Sequence, residues 1–169
     1  MISRKDIIAA EFFQRYVNMT EEPNVVKSIT KNSRKFLKLI ESIPKKKIDF
    51  AYAEGKWTIK ELFQHIMDAE RVFVYRALTF SRRDGTPLPG FDENSWTSHS
   101  GASKRDWKDL CKEFKALRSA TEYLFESFTD EQLLATGTAS GHPINVLALG
   151  FIISGHVEHH IKMIKERYL

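Results

Sequence analysis

The chain contains 169 residues, of which 42% are hydrophobic and 28% charged, the composition of an ordinary soluble globular protein. This length predicts one domain over residues 1–169, with a core large enough to fold without disulfides. The single cysteine, Cys111, excludes an internal disulfide, and its core position in a predicted helix favours a buried small hydrophobe. The net charge of +4 is dispersed in short basic runs, which argues against a nucleic-acid-binding surface.

Targeting and membrane-spanning segments are not expected. The N-terminal residues, MISRKDIIAAEFF, carry charges and lack the apolar block of a signal peptide. The longest apolar stretch, residues 146–153, is far shorter than the ~20 residues needed to cross a bilayer. The sequence therefore predicts a cytoplasmic protein with no membrane partner.

In chain order, hydrophobic periodicity first predicts three helices. The opening helix is short and covers residues 3–17. The next is a long amphipathic helix over residues 24–43, and Pro44 ends it. After an irregular connector, the third covers residues 58–83. It starts with Thr58 followed three residues later by a glutamate, which is a capping-box pattern.

A long loop is predicted at residues 85–102. It contains prolines and glycines together with Phe91, Asp92, Trp96 and His99. Loops longer than about 12–15 residues without secondary structure of their own are mostly functional or disordered. We therefore expect this loop to lie across the mouth of the folded core.

The remainder of the chain predicts two more long helices. One is capped by Ser103 and carries a heptad-like apolar seam from Trp107 to Phe128. The other begins at Pro143 and runs to Tyr168. No pair of strands is predicted. Four long helices plus a short N-terminal helix indicate an all-α, four-helix bundle, in which metal and cofactor sites form between facing helices.

Three histidines are the candidate metal ligands. His156 and His160 are four residues apart, so they share one face of a helix, one turn (~6 Å) from each other. His65 lies far upstream on another apolar helix face. Neutral imidazole is the commonest protein ligand for divalent transition metals, and three such ligands leave a coordination position open. The pattern predicts a metal site if the two helices are neighbours.

The other three histidines are expected to have other roles. His159 is also within reach of His156, but its helical neighbours place it at the rim, facing solvent or orienting a ligand. His99 and His142 fall in loops, where surface or hydrogen-bonding roles are expected. Glu61 and Asp68 flank His65 by one turn, and they either orient its ring or form ordinary surface pairs.

Two alternatives to a catalytic metal site stay open at this point. A histidine on an apolar helix face is often a satisfied core residue, so one alternative is a purely structural bundle without a metal. The other is a bundle that holds a metal or a small ligand without catalysing a reaction. No phosphate-binding glycine loop, nucleophile elbow or Cys-x-x-Cys motif is present to indicate another chemistry.

Three segments resemble the DinB-like (YfiT-like) superfamily of metal-dependent enzymes: GKWTIKELFQHIMDAERVFVYRAL, TPLPGFDE and TASGHPINVLALGFIISGHVEHHIKMIKERYL. The resemblance runs from about Phe12 to Leu169. It implies an up-down-down-up bundle and a divalent metal, nickel or zinc. The histidines that match the family ligands are His65, His156 and His160.

The resemblance further implies an enzyme acting on a small-molecule substrate. Some relatives transfer a low-molecular-weight thiol, others are thiol-dependent isomerases, and many have no assigned activity. The sequence does not choose between thiol transfer and hydrolysis. Asp92 or His99 is a candidate proton carrier or substrate contact. Arg71 and Arg76 would either meet an acidic thiol or form surface salt bridges. A homodimer is expected because bundles of this size often pair through a helix face.

Overall fold

A computed structural model describes residues 2–169 of the chain. Within them, helices and one antiparallel strand pair occur in the order α1 Glu11–Val17, α2 Val25–Ser42, α3 Ile59–Ser81, α4 Glu93–His99, α5 Trp107–Glu126, α6 Asp130–Leu134, β1 Thr136–Ala139, β2 His142–Asn145 and α7 Val146–Met163. Short 3₁₀ turns lie at Arg4–Asp6, Lys45–Lys47 and Ala102–Lys104, and a π-helical turn at Ile164–Tyr168 ends the chain.

The four long helices form the predicted bundle. α7 packs against both α2 and α3, and α5 packs against the same two helices from the other side. α3 runs parallel to α5, α2 runs parallel to α7, and α2 is antiparallel to α5. The order along the chain is therefore up-down-down-up. Pairs of contacts give these directions. Residue numbers rise together in Phe63–Trp107 and Glu70–Thr121 between α3 and α5, and in Val25–Gly150 and Asn32–Glu158 between α2 and α7. Between α2 and α5 they change in opposite senses, from Asn32–Arg118 to Phe36–Phe114.

The short N-terminal helix is confirmed but begins later than predicted. The predicted helix 3–17 is a 3₁₀ turn, an extended segment and then α1. Asn145 holds the extended segment, because its side chain donates to the carbonyl of Asp6 and accepts from the N–H of Ile8. The same side-chain oxygen accepts from the first turn of α7. One buried asparagine thus joins the N-terminal segment to the start of α7.

The prediction of no strand pair was wrong. β1 and β2 form a hairpin closed by Ser140 and Gly141, both with positive φ (53° and 79°), as a two-residue primed turn requires. Pro143, predicted to open the last helix, lies in β2, and α7 instead begins after Asn145. Each strand has only four residues, the shortest length over which an alternating hydrophobic pattern is recognised.

Two further boundaries differ from the predictions. The loop 85–102 contains the short helix α4, capped by the Asp92 carboxylate. α5 is capped by Asp106 rather than by Ser103, which lies in a separate 3₁₀ turn. Cys111 is half-buried rather than fully buried on α5, and burial raises the pKa of its thiol. Acidic and hydroxyl side chains compete for caps wherever they cluster, so spacing alone does not select one.

A polar layer divides the core into two apolar clusters. The boundary between the two clusters falls between Ile153 and Val157 on α7, and between Phe114 and Phe125 on α5. Buried polar side chains occupy the boundary, among them Asn32, Ser33, His65, Glu70, Arg118, Thr121, His156 and His160. No helix within residues 2–169 is long and apolar enough to cross a membrane.

Candidate metal centre

The first turns of α3 and α7 are anchored by side-chain caps. At the start of α3, the Thr58 hydroxyl accepts from the backbone N–H of Glu61, and the Glu61 carboxylate accepts from that of Thr58. The Asn145 side chain caps α7. The two helices pack against each other, and the three candidate histidines face one another between them.

The rings of His65, His156 and His160 converge through their Nε2 atoms. The Nε2 of His156 lies 3.1 Å from that of His65 and 3.1 Å from that of His160. All three side chains are buried, with 8%, 6% and 5% of their surface exposed. One ligand atom from each ring lies within 4.8 Å of the other two. The structure therefore brings together the residues that the sequence analysis selected.

This geometry fits a transition-metal ion. Two nitrogens that each lie ~2.0–2.1 Å from one ion are ~2.9 Å apart at a right angle and ~3.4 Å apart at a tetrahedral angle. The two separations from the Nε2 of His156, each 3.1 Å, lie between these values. The Nδ1 atom of His160 is buried without a hydrogen-bond partner among the described residues. When Nε2 binds a metal, the proton of the neutral ring is on Nδ1.

Burial keeps these imidazoles neutral, which is the form that binds a metal. It lowers the pKa of His65 from 6.5 to about 4. Burial, followed by repulsion from His160 and His65, also lowers the pKa of His156 well below its ordinary value. The pKa of His160 is lowered in the same direction, again mainly by burial. At neutral pH all three rings offer a lone pair rather than a positive charge.

The flanking carboxylates do not orient His65. Glu61 is used in the cap of α3, and the Asp68 carboxylate accepts from the Gln64 side-chain amide 2.8 Å away and lies 3.5 Å from Arg71. Glu61 and Asp68 therefore form local interactions on α3 and do not hold the His65 ring.

Aromatic rings surround the histidines instead. The Trp57 ring lies 4.8 Å from that of His65, and the rings of Tyr16 and Phe73 lie 5.4 and 5.9 Å from that of His156. Such a shell limits access of water to the site. Tyr16 approaches because Gly155 has no side chain: a Cβ atom there would lie 1.8 Å from the Tyr16 carbonyl oxygen.

Sequence reasoning missed this shell. Tyr16 and Trp57 lie outside the helices that carry the histidines, and no spacing rule connects them to the site. Gly155, one residue before His156, was the available signal. A glycine inside a helical pattern often has a packing reason, such as the close approach of another backbone segment.

The remaining candidate residues lie elsewhere. His159 is half-buried at the edge of the cluster, 5.9 Å from the Tyr16 ring, and burial lowers its pKa. Asp92 is exposed and accepts from the N–H groups of Asn94 and Ser95 as the cap of α4. The structure therefore gives Asp92 a capping role, and its catalytic role stays a prediction. His99 is exposed in the last turn of α4, with its ring nitrogen 2.8 Å from the Ser95 carbonyl, and His142 is exposed on β2.

A buried ionic network, also missed from the sequence, lies beside the histidines in the polar layer. Arg118 Nε lies 2.7 Å from Glu70 Oε2, and both side chains are 2% exposed. The N–H does not point along that line, so the contact is ionic rather than a hydrogen bond. Glu70 also accepts from Thr121, and Arg118 donates to Asn32, which donates in turn to Glu158. The network links all four bundle helices at the level of the candidate site.

Comparisons with known proteins agree with this architecture. A family model described as the DinB superfamily matches residues 28–164. A protein of Oceanobacillus iheyensis named "putative metal-dependent hydrolase" is 25% identical over 145 residues, which cover 83% of this chain and 81% of that protein.

A solved structure shows the same fold. It is YfiT from Bacillus subtilis, described as "a probable metal-dependent hydrolase with an unusual four-helix bundle topology". The TM-score is 0.70 at 18% identity, over 94% of this chain and 87% of YfiT. With the family model covering most of its length, the chain belongs to the DinB superfamily.

Proposed function

We propose that this protein is a metal-dependent enzyme acting on a small molecule, with one divalent cation held by His65, His156 and His160. The observation that carries the proposal is the convergence of three buried Nε2 atoms from two packed helices. Three neutral imidazoles suit zinc or nickel, and three protein ligands are the number found in catalytic rather than structural zinc sites.

An ion held by these histidines would supply Lewis acidity and would lower the pKa of a water or thiol that it bound. The chain's own residues contribute the surroundings. The aromatic rings of Tyr16 and Trp57 restrict water around the histidines. The buried Glu70–Arg118 pair ties α3 to α5 and, through Asn32 and Glu158, to α7, so that the helices bearing the ligands keep their register.

Hydrolysis is the reaction that the relatives' names support, since one is named a "putative" and the other a "probable" metal-dependent hydrolase. Transfer of a low-molecular-weight thiol is the alternative that the sequence resemblance implies. The same three-histidine site serves either reaction, because a divalent ion activates water and thiols alike. The presence or absence of thiol dependence separates the two.

The first experiment is metal analysis of protein prepared without a histidine tag. We expect about one equivalent of zinc or nickel, removable by a chelator, in the wild type and in His99→Ala, which removes an exposed histidine outside the cluster. The His65→Ala variant should retain none while remaining folded by circular dichroism. Equal metal content in His65→Ala and wild type would overturn the assignment.

The second experiment concerns turnover. The metal-loaded protein is offered model esters, amides and electrophiles, with and without a thiol. Turnover without thiol that disappears in His65→Ala supports hydrolysis, and turnover only with thiol supports transfer. A filled site with no turnover under either condition would instead support a non-catalytic metal-binding bundle.

A further inference from the structure

A groove of about 360 Å³ lies between α3 and the segment that leads into α4. We call it the α3–α4 groove. Its apolar walls are formed by Val72, Tyr75, Leu88, Pro89, Phe91 and Trp96, and its polar residues are Asp68, Arg71 and Arg76. The volume falls in the usual range of small-molecule sites, roughly 300–1,000 Å³.

The groove continues the helix face that carries His65. Val72 and Arg76 follow His65 by seven and eleven residues, which returns them to nearly the same side of α3. Along the axis, Val72 lies ~10 Å and Arg76 ~16 Å from His65. Asp68, at the near end of the groove, is three residues from His65. A molecule in the groove would thus lie along the same helix face as the candidate metal centre.

The outer wall of the groove is held in place. Leu88 donates its N–H to the Thr138 carbonyl of β1, and the N–H of Ser140 donates to the Leu88 carbonyl. The rings of Phe91 and Trp96 pack against each other with 4.7 Å between centroids and a tilt of 39°, and Trp96 remains 46% exposed. The wall is therefore a fixed aromatic surface, and stacking on such a surface favours a planar or apolar ligand.

Arg76 lies at the far end without a counter-ion. It is 2% exposed, and its Nη2 donates to the Pro89 carbonyl and to the Ser140 hydroxyl, both neutral. No carboxylate of residues 2–169 forms a salt bridge with it. The other deeply buried arginine, Arg118, is paired with Glu70. A buried cation without an anionic partner is costly, so a ligand that brings a negative charge is favoured at this position.

We propose that the α3–α4 groove binds a small aryl carboxylate or a close relative, with its ring against Phe91 and Trp96 and its anionic group paired with the Arg76 guanidinium. At the opposite end Arg71 is already paired with Asp68 and Glu113, so Arg76 is the groove cation without an anionic partner, and this sets the direction of the ligand. The identification of this ligand as the substrate rests on the proposed function. The binding itself does not, because none of the groove residues is a candidate metal ligand.

The test uses two probes of nearly equal shape, 1-naphthylacetate and its neutral amide, 1-naphthylacetamide. Each is titrated calorimetrically into metal-loaded and chelator-treated protein. We expect saturable, one-to-one binding of the carboxylate. The amide should bind about tenfold or more weakly, the order expected for loss of a charge-assisted hydrogen bond. Equal affinities, or no saturable binding of either probe, would overturn the proposal.

Variants assign the binding to the groove. Arg76→Met should abolish the preference for the carboxylate, whereas Arg76→Lys should retain it. Trp96→Ala should weaken both probes, and Tyr123→Ala, which removes an exposed aromatic ring on α5 outside the groove, should weaken neither. If Arg76→Met does not fold, Val72→Trp, which fills the groove, takes its place and should block both probes. Unchanged binding by Trp96→Ala refutes the location.

The two proposals fail separately. Loss of the metal assignment would appear as a His65→Ala variant with wild-type metal content, and it would leave naphthylacetate binding to chelator-treated protein intact. Failure of the groove proposal would appear as absent or charge-indifferent binding in protein that still retains its metal.

Discussion

Gly155→Ala sets two physical effects against each other. Intrinsic helix propensity favours alanine over glycine by about 1 kcal/mol inside a helix. The structure opposes this gain, since the added Cβ would lie 1.8 Å from the carbonyl oxygen and 2.4 Å from the carbonyl carbon of Tyr16. These are backbone atoms, so no side-chain rotation relieves the clash, and α1 must move away from α7.

The expected magnitude follows from these contacts. Overpacking a tight interface costs typically about 1–3 kcal/mol, and a backbone obstacle places this site at the upper end. After the propensity gain is subtracted, Gly155→Ala should destabilise the protein by about 2 kcal/mol. For a chain of this size, that loss lowers Tm by about 4–8 °C.

Urea unfolding followed by circular dichroism measures the effect. A lower midpoint with an unchanged slope indicates a strained but intact α1, while a smaller slope indicates that α1 has detached. Gly85→Ala is the control, because a Cβ there meets no atom within 4 Å. A Gly155→Ala protein as stable as wild type, or more stable, would refute the close approach of Tyr16 and with it the aromatic wall beside His156.

Three further predictions address the polar layer, acid stability and α4. Glu70→Gln leaves Arg118 buried without a counter-ion and should cost about 3–5 kcal/mol in urea unfolding, whereas Asp109→Asn in an exposed pair should change stability by less than about 0.5 kcal/mol. Metal-free protein should lose about 3 kcal/mol of folding stability as pH falls from 6.5 towards 4, measured by thermal melting. The reason is that the folded state depresses the pKa of His65, so the unfolded state binds more protons there. A flat melting profile across that range would contradict the burial of neutral histidines. Asp92→Asn preserves a good helix cap, so stability should stay within about 0.5 kcal/mol of wild type, and a fall in turnover would then identify a role beyond capping.

Side-chain periodicity made the bundle predictable. α2, α3 and α5 each bury one stripe of apolar residues, and that stripe is visible in the sequence without knowledge of the partner helix. The hairpin β1–β2 and the helix α4 were not predictable in this way. Each is short and depends on tertiary contacts, such as the bonds from Leu88 to Thr138 and from Ser140 to Leu88.

The sequence by itself determined the long helices of this protein and the residue types of its candidate site. Spacing of four places His156 and His160 on one face of any helix, whatever surrounds it. Only the tertiary structure decided that His65 meets them, that Glu70 pairs with Arg118, and that Arg76 lies beside a groove without an anionic partner. The physical reason is that periodicity is a local property of the sequence. It reports which way a side chain faces on its own helix. The neighbour it meets depends on how separate helices pack, which no single segment encodes.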